Sequence, residues 1–304
     1  MKALVFGSLN IDRTYRVSHL VRPGETISAQ SMESFCGGKG FNQAVALRRA
    51  GLETAFSGAV GQDGGMLLDA LDKNGIDREN VLRLTQSTGH AIIEVDENGQ
   101  NSILILAGTN GLISRERIAQ VLSGCARGDL LVAQNEISNV DFLLGEAAAK
   151  GLVIAFNPSP FNEKIAACDL AAVDYLLINE TEGRELTGEE EPGRILDALC
   201  GRYPKMNVVL TLGENGSVYR DREGKTVQAG IYPVQTVDTT AAGDTFTGFF
   251  LEAVCRGQSA SAALKRASVA AGIAVSRKGA EPSIPTAREV DQALRALEKE
   301  GAAP

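Results

Sequence analysis

Short apolar runs alternate with longer amphipathic segments along most of this chain, and that rhythm constrains the fold more than any other feature. The buried-strand candidates are Ala3–Phe6, Asp129–Ala133, Leu152–Phe156, Tyr175–Ile178 and Val208–Thr211. Each is short and apolar at successive positions, as a strand must be when helices cover both faces of its sheet. Helical periodicity covers Asn42–Ala50, Gly65–Lys73, Val140–Lys150, Arg194–Tyr203, Ala242–Arg256, Ala260–Ser276 and Arg288–Glu300. Parallel neighbours need a crossover, and a helix supplies it. The pattern predicts an α/β fold with a mostly parallel central sheet and helices on both faces. Gly51 reads as the stop of the first of these helices. Thr286, with Glu289 three residues on, reads as the capping box of the last.

Two stretches break the rhythm. Residues 11–36 alternate loosely, and residues 88–107 carry two β-branched runs around Asn98-Gly99, a hairpin signal. Together they predict a small antiparallel β lid on a main body made of residues 1–10, 37–87 and 108–304. Ile and Val occupy both faces of the second stretch, and an apolar outer face invites a second copy of the chain, a homodimer.

Composition then excludes several functions. With 44% hydrophobic residues in 304, the chain has material for a substantial core. Its 30 basic and 38 acidic residues leave a net charge of −8. A broad positive field for nucleic acid is therefore absent, although a local basic pocket for a small phosphate is allowed. Two histidines, His19 and His90, argue against a His-based metal cluster or triad, and a carboxylate is the favoured proton acceptor. Five cysteines with no C-x-x-C spacing suggest reduced thiols and a cytoplasmic setting. The apolar run at the start is too short for a secretory signal, and no run approaches the roughly 18 residues of a membrane span.

Common cofactor motifs are missing. Gly38-Lys-Gly40 lacks the third glycine of G-x-G-x-x-G, and Tyr219 stands where a P-loop ending at Gly224-Lys-Thr226 needs glycine. Protein-kinase H-R-D and D-F-G motifs and a G-x-S-x-G elbow are also lacking.

Five other segments carry chemistry. In Val237-Asp-Thr-Thr-Ala-Ala-Gly-Asp-Thr-Phe246, three small residues, Ala241 to Gly243, open an apolar helix. Unpaired N–H groups and the helix dipole make such a start an anion hole for a phosphoryl group. Asp244 follows directly and would take a proton from a hydroxyl attacking phosphorus, or would merely cap the helix. Cys36-Gly-Gly-Lys-Gly-Phe-Asn-Gln-Ala44 reads as a polyol clamp in which glycines admit a sugar and Lys39 and Asn42 offer donors; a plain loop-to-helix turn is the alternative. In Gly7-Ser-Leu-Asn-Ile-Asp12, at the end of the first strand, Asn10 and Asp12 project to one side and match paired hydroxyls, or make an ordinary turn. Asn179-Glu-Thr-Glu182 would hold hydrated Mg²⁺ or cap a helix. Thr211-Leu-Gly-Glu-Asn-Gly216 permits a tight loop under a nucleotide.

Taken in this order, the five segments resemble the ribokinase family of carbohydrate kinases, the PfkB-type sugar kinases, from Gly7 to about Pro285. The Gly37-Gly-Lys-Gly40 region and Asp238-Thr-Thr-Ala-Ala-Gly-Asp-Thr-Phe246 are the family's two signatures, and Asn157-Pro158 and Arg277-Lys-Gly-Ala280 add to the likeness. The resemblance implies transfer of the ATP γ-phosphoryl group to a primary sugar hydroxyl. D-ribose is the leading acceptor, and fructose, deoxyribose, a sugar acid or a nucleoside is the alternative. It also implies roles. Asp244 would be the base, and the N–H groups of Ala242 and Gly243 the anion hole. Asn10, Asp12, Gly38, Lys39, Asn42 and Glu136 would hold the sugar. Asn179, Thr211, Gly213, Gly216, Gly243 and Ser268 would meet the nucleotide, with Glu182 supporting Mg²⁺ through water. An activating K⁺ would sit among Asp238, Thr240, Ala274, Arg277, Gly279 and Ser283, several through carbonyls. Family members pair through such a lid. Phe41 stands where they often carry a small residue.

Overall fold

The computed structural model describes residues 1–301. The first half runs β1 (Ala3–Phe6), β2 (Asn10–Arg16), β3 (Ser31–Gly37), α1 (Lys39–Ala50), β4 (Thr54–Val60), α2 (Gly65–Lys73), β5 (Asp77–Arg83), β6 (Gly89–Val95), β7 (Asn101–Leu106) and α3 (Arg115–Ser123). It continues through β8 (Leu130–Gln134), α4 (Val140–Lys150), β9 (Val153–Asn157), β10 (Tyr175–Asn179), α5 (Glu180–Thr187), α6 (Pro192–Arg202) and β11 (Asn207–Thr211). The remainder is β12 (Ser217–Arg220), β13 (Thr226–Ala229), α7 (Ala242–Cys255), α8 (Ala260–Val275) and α9 (Ala287–Gly301).

Nine strands form the main sheet in the order β13-β12-β11-β10-β9-β8-β1-β4-β5. Pairings from β11 across to β5 are parallel, and β12 and β13 add an antiparallel edge. The chain builds outward from β1 to β4 and β5, then returns to β8 on the other side of β1. That reversal opens a crevice beyond the carboxyl ends of β1 and β8, where open α/β sheets bind ligands. Alternation on β1 shows why both faces are covered. Ala3 and Val5 enter the core under α1 and α7, while Leu4 and Phe6 enter the one under α3 and α4. Each fully buried Phe or Leu contributes about 1.5–3 kcal/mol, so the two cores clamp the sheet by its faces between helices. Phe41 lies in the first core at 0% exposure, so its bulk packs α1 against the sheet.

Four of these strands escaped the sequence pattern. β4 is rich in small residues, and β5, Asp-Arg-Glu-Asn-Val-Leu-Arg, is a charged edge strand with little apolar signal. The hairpin β12–β13 is short and sits at the opposite edge. Helix α3, capped by Ser114, escaped the pattern as well, and α5 was anticipated only through its start at Asn179. The expected capping box on α9 forms: the Glu289 carboxylate accepts from Thr286 N–H at 2.7 Å, and Glu289 N–H donates to Thr286 Oγ1 at 3.4 Å.

A second sheet, β3-β2-β6-β7, stands beside the first. Its outer pairs β2–β3 and β6–β7 are antiparallel, as the alternation indicated. The join between them, β2–β6, is parallel with Asp12 opposite Ala91, because the chain passes through the main body before returning. The expected turn at Asn98-Gly99 forms as a wider loop, since Asp96 Oδ1 accepts from both Asn98 and Gln100 N–H groups while Gly99 takes φ 79°. On β7, Ile103, Leu104, Ile105 and Leu106 are all exposed, with Leu104 at 69%. All five cysteines are free thiols. Among the described residues, no helix is long and apolar enough to cross a membrane.

Candidate active site

A cavity of about 240 Å³ opens at the carboxyl ends of β9, β10 and β11, lined there by Asn157, Asn179 and Thr211. Lys39 and Gln43 reach it from α1, Glu182 from α5, and Ala242, Gly243 and Asp244 from the start of α7. A larger cavity of about 370 Å³ lies at the opposite end of the same strands, beside Asp174 and Asn207. Size is the poorer guide here: the smaller cavity sits where strand ends and helix N-termini converge.

The start of α7 is shaped by Ala241, a non-glycine residue with φ 60°. A left-handed alanine costs roughly 1–2 kcal/mol, a strain typical of functional turns. Ala242 N–H donates to Thr239 O at 3.2 Å. Among the described residues, no acceptor reaches the N–H of Gly243 or Asp244. A Cβ built on Gly243 would meet no atom within 4 Å, so this bare helix start faces open space. Asp244 follows at 7% exposure. Its Oδ2 accepts from Asn42 Nδ2 at 3.1 Å and its Oδ1 from Gln43 Nε2 at 3.0 Å. Burial alone would lower the Lys39 ammonium, but Asp244, Glu136 and Glu182 around it outweigh burial and hold it above its ordinary value.

Two glycines bring the β1–β2 turn against α1. Gly40 lies so close that a Cβ there would stand 2.5 Å from Ser8 N and 2.7 Å from Gly7 Cα. The same at Gly37 would collide with the Asp12 carboxylate at 2.0 Å. These glycines admit protein against protein. Gly38, at φ 93°, makes the turn into α1. The turn is tied to β8 by Glu136, whose Oε2 accepts from Ser8 Oγ and, at 2.8 Å, from Lys39 N–H. Burial pushes the Glu136 carboxyl up, against the pull of Ser8 and Lys39. Asp12 is pushed up to about 7, first by burial and then by the facing Glu136. Asn10, 6% exposed, accepts on Oδ1 from Asn110 Nδ2 at 2.8 Å.

Asn179 caps α5 through Glu182 N–H at 2.9 Å, and Glu182 Oε2 returns the bond from Asn179 N–H at 3.0 Å, a full capping box. Among the described residues no donor reaches the other oxygen of Glu182, and the residue lines the cavity. Asp238 joins two loops: its Oδ1 accepts from Thr240 N–H at 2.9 Å and its Oδ2 from Gly279 N–H at 2.9 Å. Those bonds outweigh burial and hold its carboxyl below the usual range. Ala274 O accepts from Arg277 N–H at 3.0 Å, Arg277 pairs with Glu289 at 2.7 Å, and Ser283 Oγ donates to Ala280 O at 2.7 Å. Gly213, Gly216 and Ser268 are not among the residues lining the cavity. Gly216 instead packs on β13, where a Cβ would stand 2.1 Å from Ala229 O.

Residues 1–287 match the model of the pfkB family carbohydrate kinases. This chain belongs to that family. It is 36% identical to a ribokinase of Haemophilus influenzae over 295 residues, covering 94% of this chain and 95% of that protein. The crystal structure of a Thermotoga maritima ribokinase superposes with a TM-score of 0.83 at 34% identity, covering 97% and 99% of the two chains. The Arabidopsis thaliana ribokinase complexed with ribose and ATP superposes equally well, at 0.83 and 31% identity, over 97% and 98%. The pfkB-family kinase described here therefore has the α/β body and small second sheet expected from its sequence, and it is a phosphotransferase acting on carbohydrate. Sequence reasoning overlooked Ser8, Asn110 and Gln134, and it gave Gln43 and Asn157 no role of their own. Nothing local marks Gln134 or Asn110; each gains its partner only when a distant element packs against it.

Proposed function

We propose that this kinase transfers the γ-phosphoryl group of ATP to O5 of D-ribose. One observation carries the reading: Asn42 of the glycine-rich segment donates to Asp244 at 3.1 Å, joining the sugar-side residues to the phosphate-side helix start. Asn10 and Asp12 offer a donor and an acceptor to neighbouring hydroxyls, with Gly38, Lys39, Asn42 and Glu136 completing the sugar's surroundings. Asp244 takes the proton of the attacking hydroxyl as its oxygen bonds to the γ-phosphorus and the bond from phosphorus to the ADP oxygen breaks. The N–H groups around Ala242 and Gly243, with the Lys39 ammonium, stabilise the charge that spreads over the transferred group. Asn179 and Thr211 flank the nucleotide, with Gly213, Gly216 and Ser268 beyond them.

The donor set fits the ions this chemistry uses. Glu182 keeps one oxygen free at the cavity and would support Mg²⁺ through water. Among the described residues no three His, Cys, Asp or Glu cluster as a metal cage, so such an ion would lean on the nucleotide's phosphates for charge. Bound there, it neutralises phosphate charge. K⁺ suits the oxygens of Asp238, Thr240, Ala274, Arg277, Gly279 and Ser283, which come from the segment before α7, the last turn of α8 and the turns after it, and the Asp238 carboxylate joins the first to the last through Gly279 N–H. Residues 11–36 and 88–107 act as the lid, and the exposed β7 face pairs two copies into a homodimer. A coupled kinase assay over ribose, deoxyribose, fructose, a sugar acid, adenosine and inosine tests the substrate. Ribose is expected to give the highest kcat/KM; another acceptor ahead of it would end the ribose assignment.

A further inference from the structure

Gln134 ends β8 at 0% exposure, far from Asp244 in the chain, and does not itself line the active-site cavity. Its Nε2 donates to Gln43 Oε1 at 2.7 Å, and Gln43, 1% exposed, donates through Nε2 to Asp244 Oδ1 at 3.0 Å. An ionised carboxylate only accepts, so Gln43 must turn its NH₂ toward Asp244. Its oxygen then faces β8, and the residue at 134 must be a donor. Only one polarity of the two amides satisfies both contacts. Gln134 Oε1 meanwhile has no partner among the described residues, although it is buried. A protein selected for packing alone would place an apolar side chain here.

We propose that Gln134 and Gln43 form an amide relay that positions the Asp244 carboxylate, with Gln134 setting the polarity of Gln43. The inference rests on Asp244 being the base. Asn42 holds the other oxygen from the same helix, so the carboxylate is gripped at both ends by α1, and α1 takes its orientation from the sheet through Gln134. Loss of the relay leaves Asp244 in place but free to rotate, so the chemical step slows while binding of sugar and nucleotide persists. Misplacing a reacting group by about 1 Å costs up to about 100-fold.

The test is steady-state kinetics and thermal unfolding of Gln134→Leu, Gln134→Glu and Asp244→Asn, using ATP and the best acceptor from the sugar panel. Gln134→Leu is expected to lower kcat about 10- to 100-fold, leave both KM values within about threefold, and keep or raise Tm. Gln134→Glu, similar in shape but an acceptor when ionised, reverses Gln43 and is expected to lower kcat at least as far. On the Asp244→Asn background, Gln134→Leu should cause no further loss, because both act through one group. A parental kcat in Gln134→Glu, or a full additional loss on the Asp244→Asn background, overturns the relay. Should Gln134→Leu fail to fold, Gln134→Glu and its cycle with Asp244→Asn still decide. A parental kcat in Asp244→Asn would remove the base itself and the relay with it, whereas loss there with no loss in either Gln134 variant would remove the relay alone.

Discussion

Asp12→Asn should stabilise this kinase while abolishing sugar binding. The Asp12 carboxyl sits against Gly37 and faces Glu136, and it is pushed up from 3.8 to about 7. The unfolded chain gives up that proton near 3.8, the folded chain near 7. Between those values the folded state holds the extra proton, so stability falls as pH rises through the window and levels off above it. Each tenfold change in proton affinity is worth about 1.4 kcal/mol, which sets a ceiling of about 4 kcal/mol for the penalty above pH 7. The side chain keeps some access to water, and solvent screening reduces this to about 1–2 kcal/mol, or a Tm change of about 2–5 °C. Asparagine keeps the shape and removes the charge. Thermal unfolding without sugar should therefore show the variant more stable than the parent at pH 8, with a smaller gap at pH 5. Isothermal titration with ribose should show the parent binding more weakly as pH falls below 7, and the variant hardly at all. A variant no more stable than the parent at pH 8, or a gap unchanged between pH 5 and pH 8, would refute the reasoning.

Other perturbations probe different parts of the architecture. Gly40→Ala places a Cβ 2.5 Å from Ser8 N and 2.7 Å from Gly7 Cα, where only backbone could yield. It should cost about 1–3 kcal/mol in urea unfolding and raise the sugar KM as α1 parts from the β1–β2 turn. Leu104→Arg puts charge on the exposed β7 face, at a side chain that is 69% exposed in the single chain; the proposed homodimer predicts a dimeric parent and a monomeric variant in analytical ultracentrifugation, and a monomeric parent would refute it. Replacing K⁺ by Na⁺ at constant ionic strength should lower kcat. Equal rates in the two salts would argue against a cation bound between the Asp238 and Gly279 loops.

Much of this fold was written locally. The apolar runs that became β1, β8, β9, β10 and β11 need only their own residues to read as buried strands, and Gly51, Thr286 and the small residues before Asp244 punctuate helices through interactions a few residues long. The charged edge strand β5 and the small-residue strand β4 gave no such signal, because edge and packing context decide whether such stretches pair. At the site the division is the same. The chemistry-bearing residue types, from Asn10 and Asp12 through Lys39 and Asn42 to Asp244, are legible as motifs. Their relations are not. Asp12 acquires its raised affinity for protons when folding buries it and the turn after β8 brings Glu136 near it, Asn10 gains a fixed amide from Asn110, and Asp244 meets its two donors, Asn42 and Gln43, across about two hundred residues of chain. Caps and periodicity act over one or two turns of chain. Charge coupling and the polarity of buried amides depend on groups roughly a hundred or more residues apart in sequence, and those meet only when the sheet and its helices close around them.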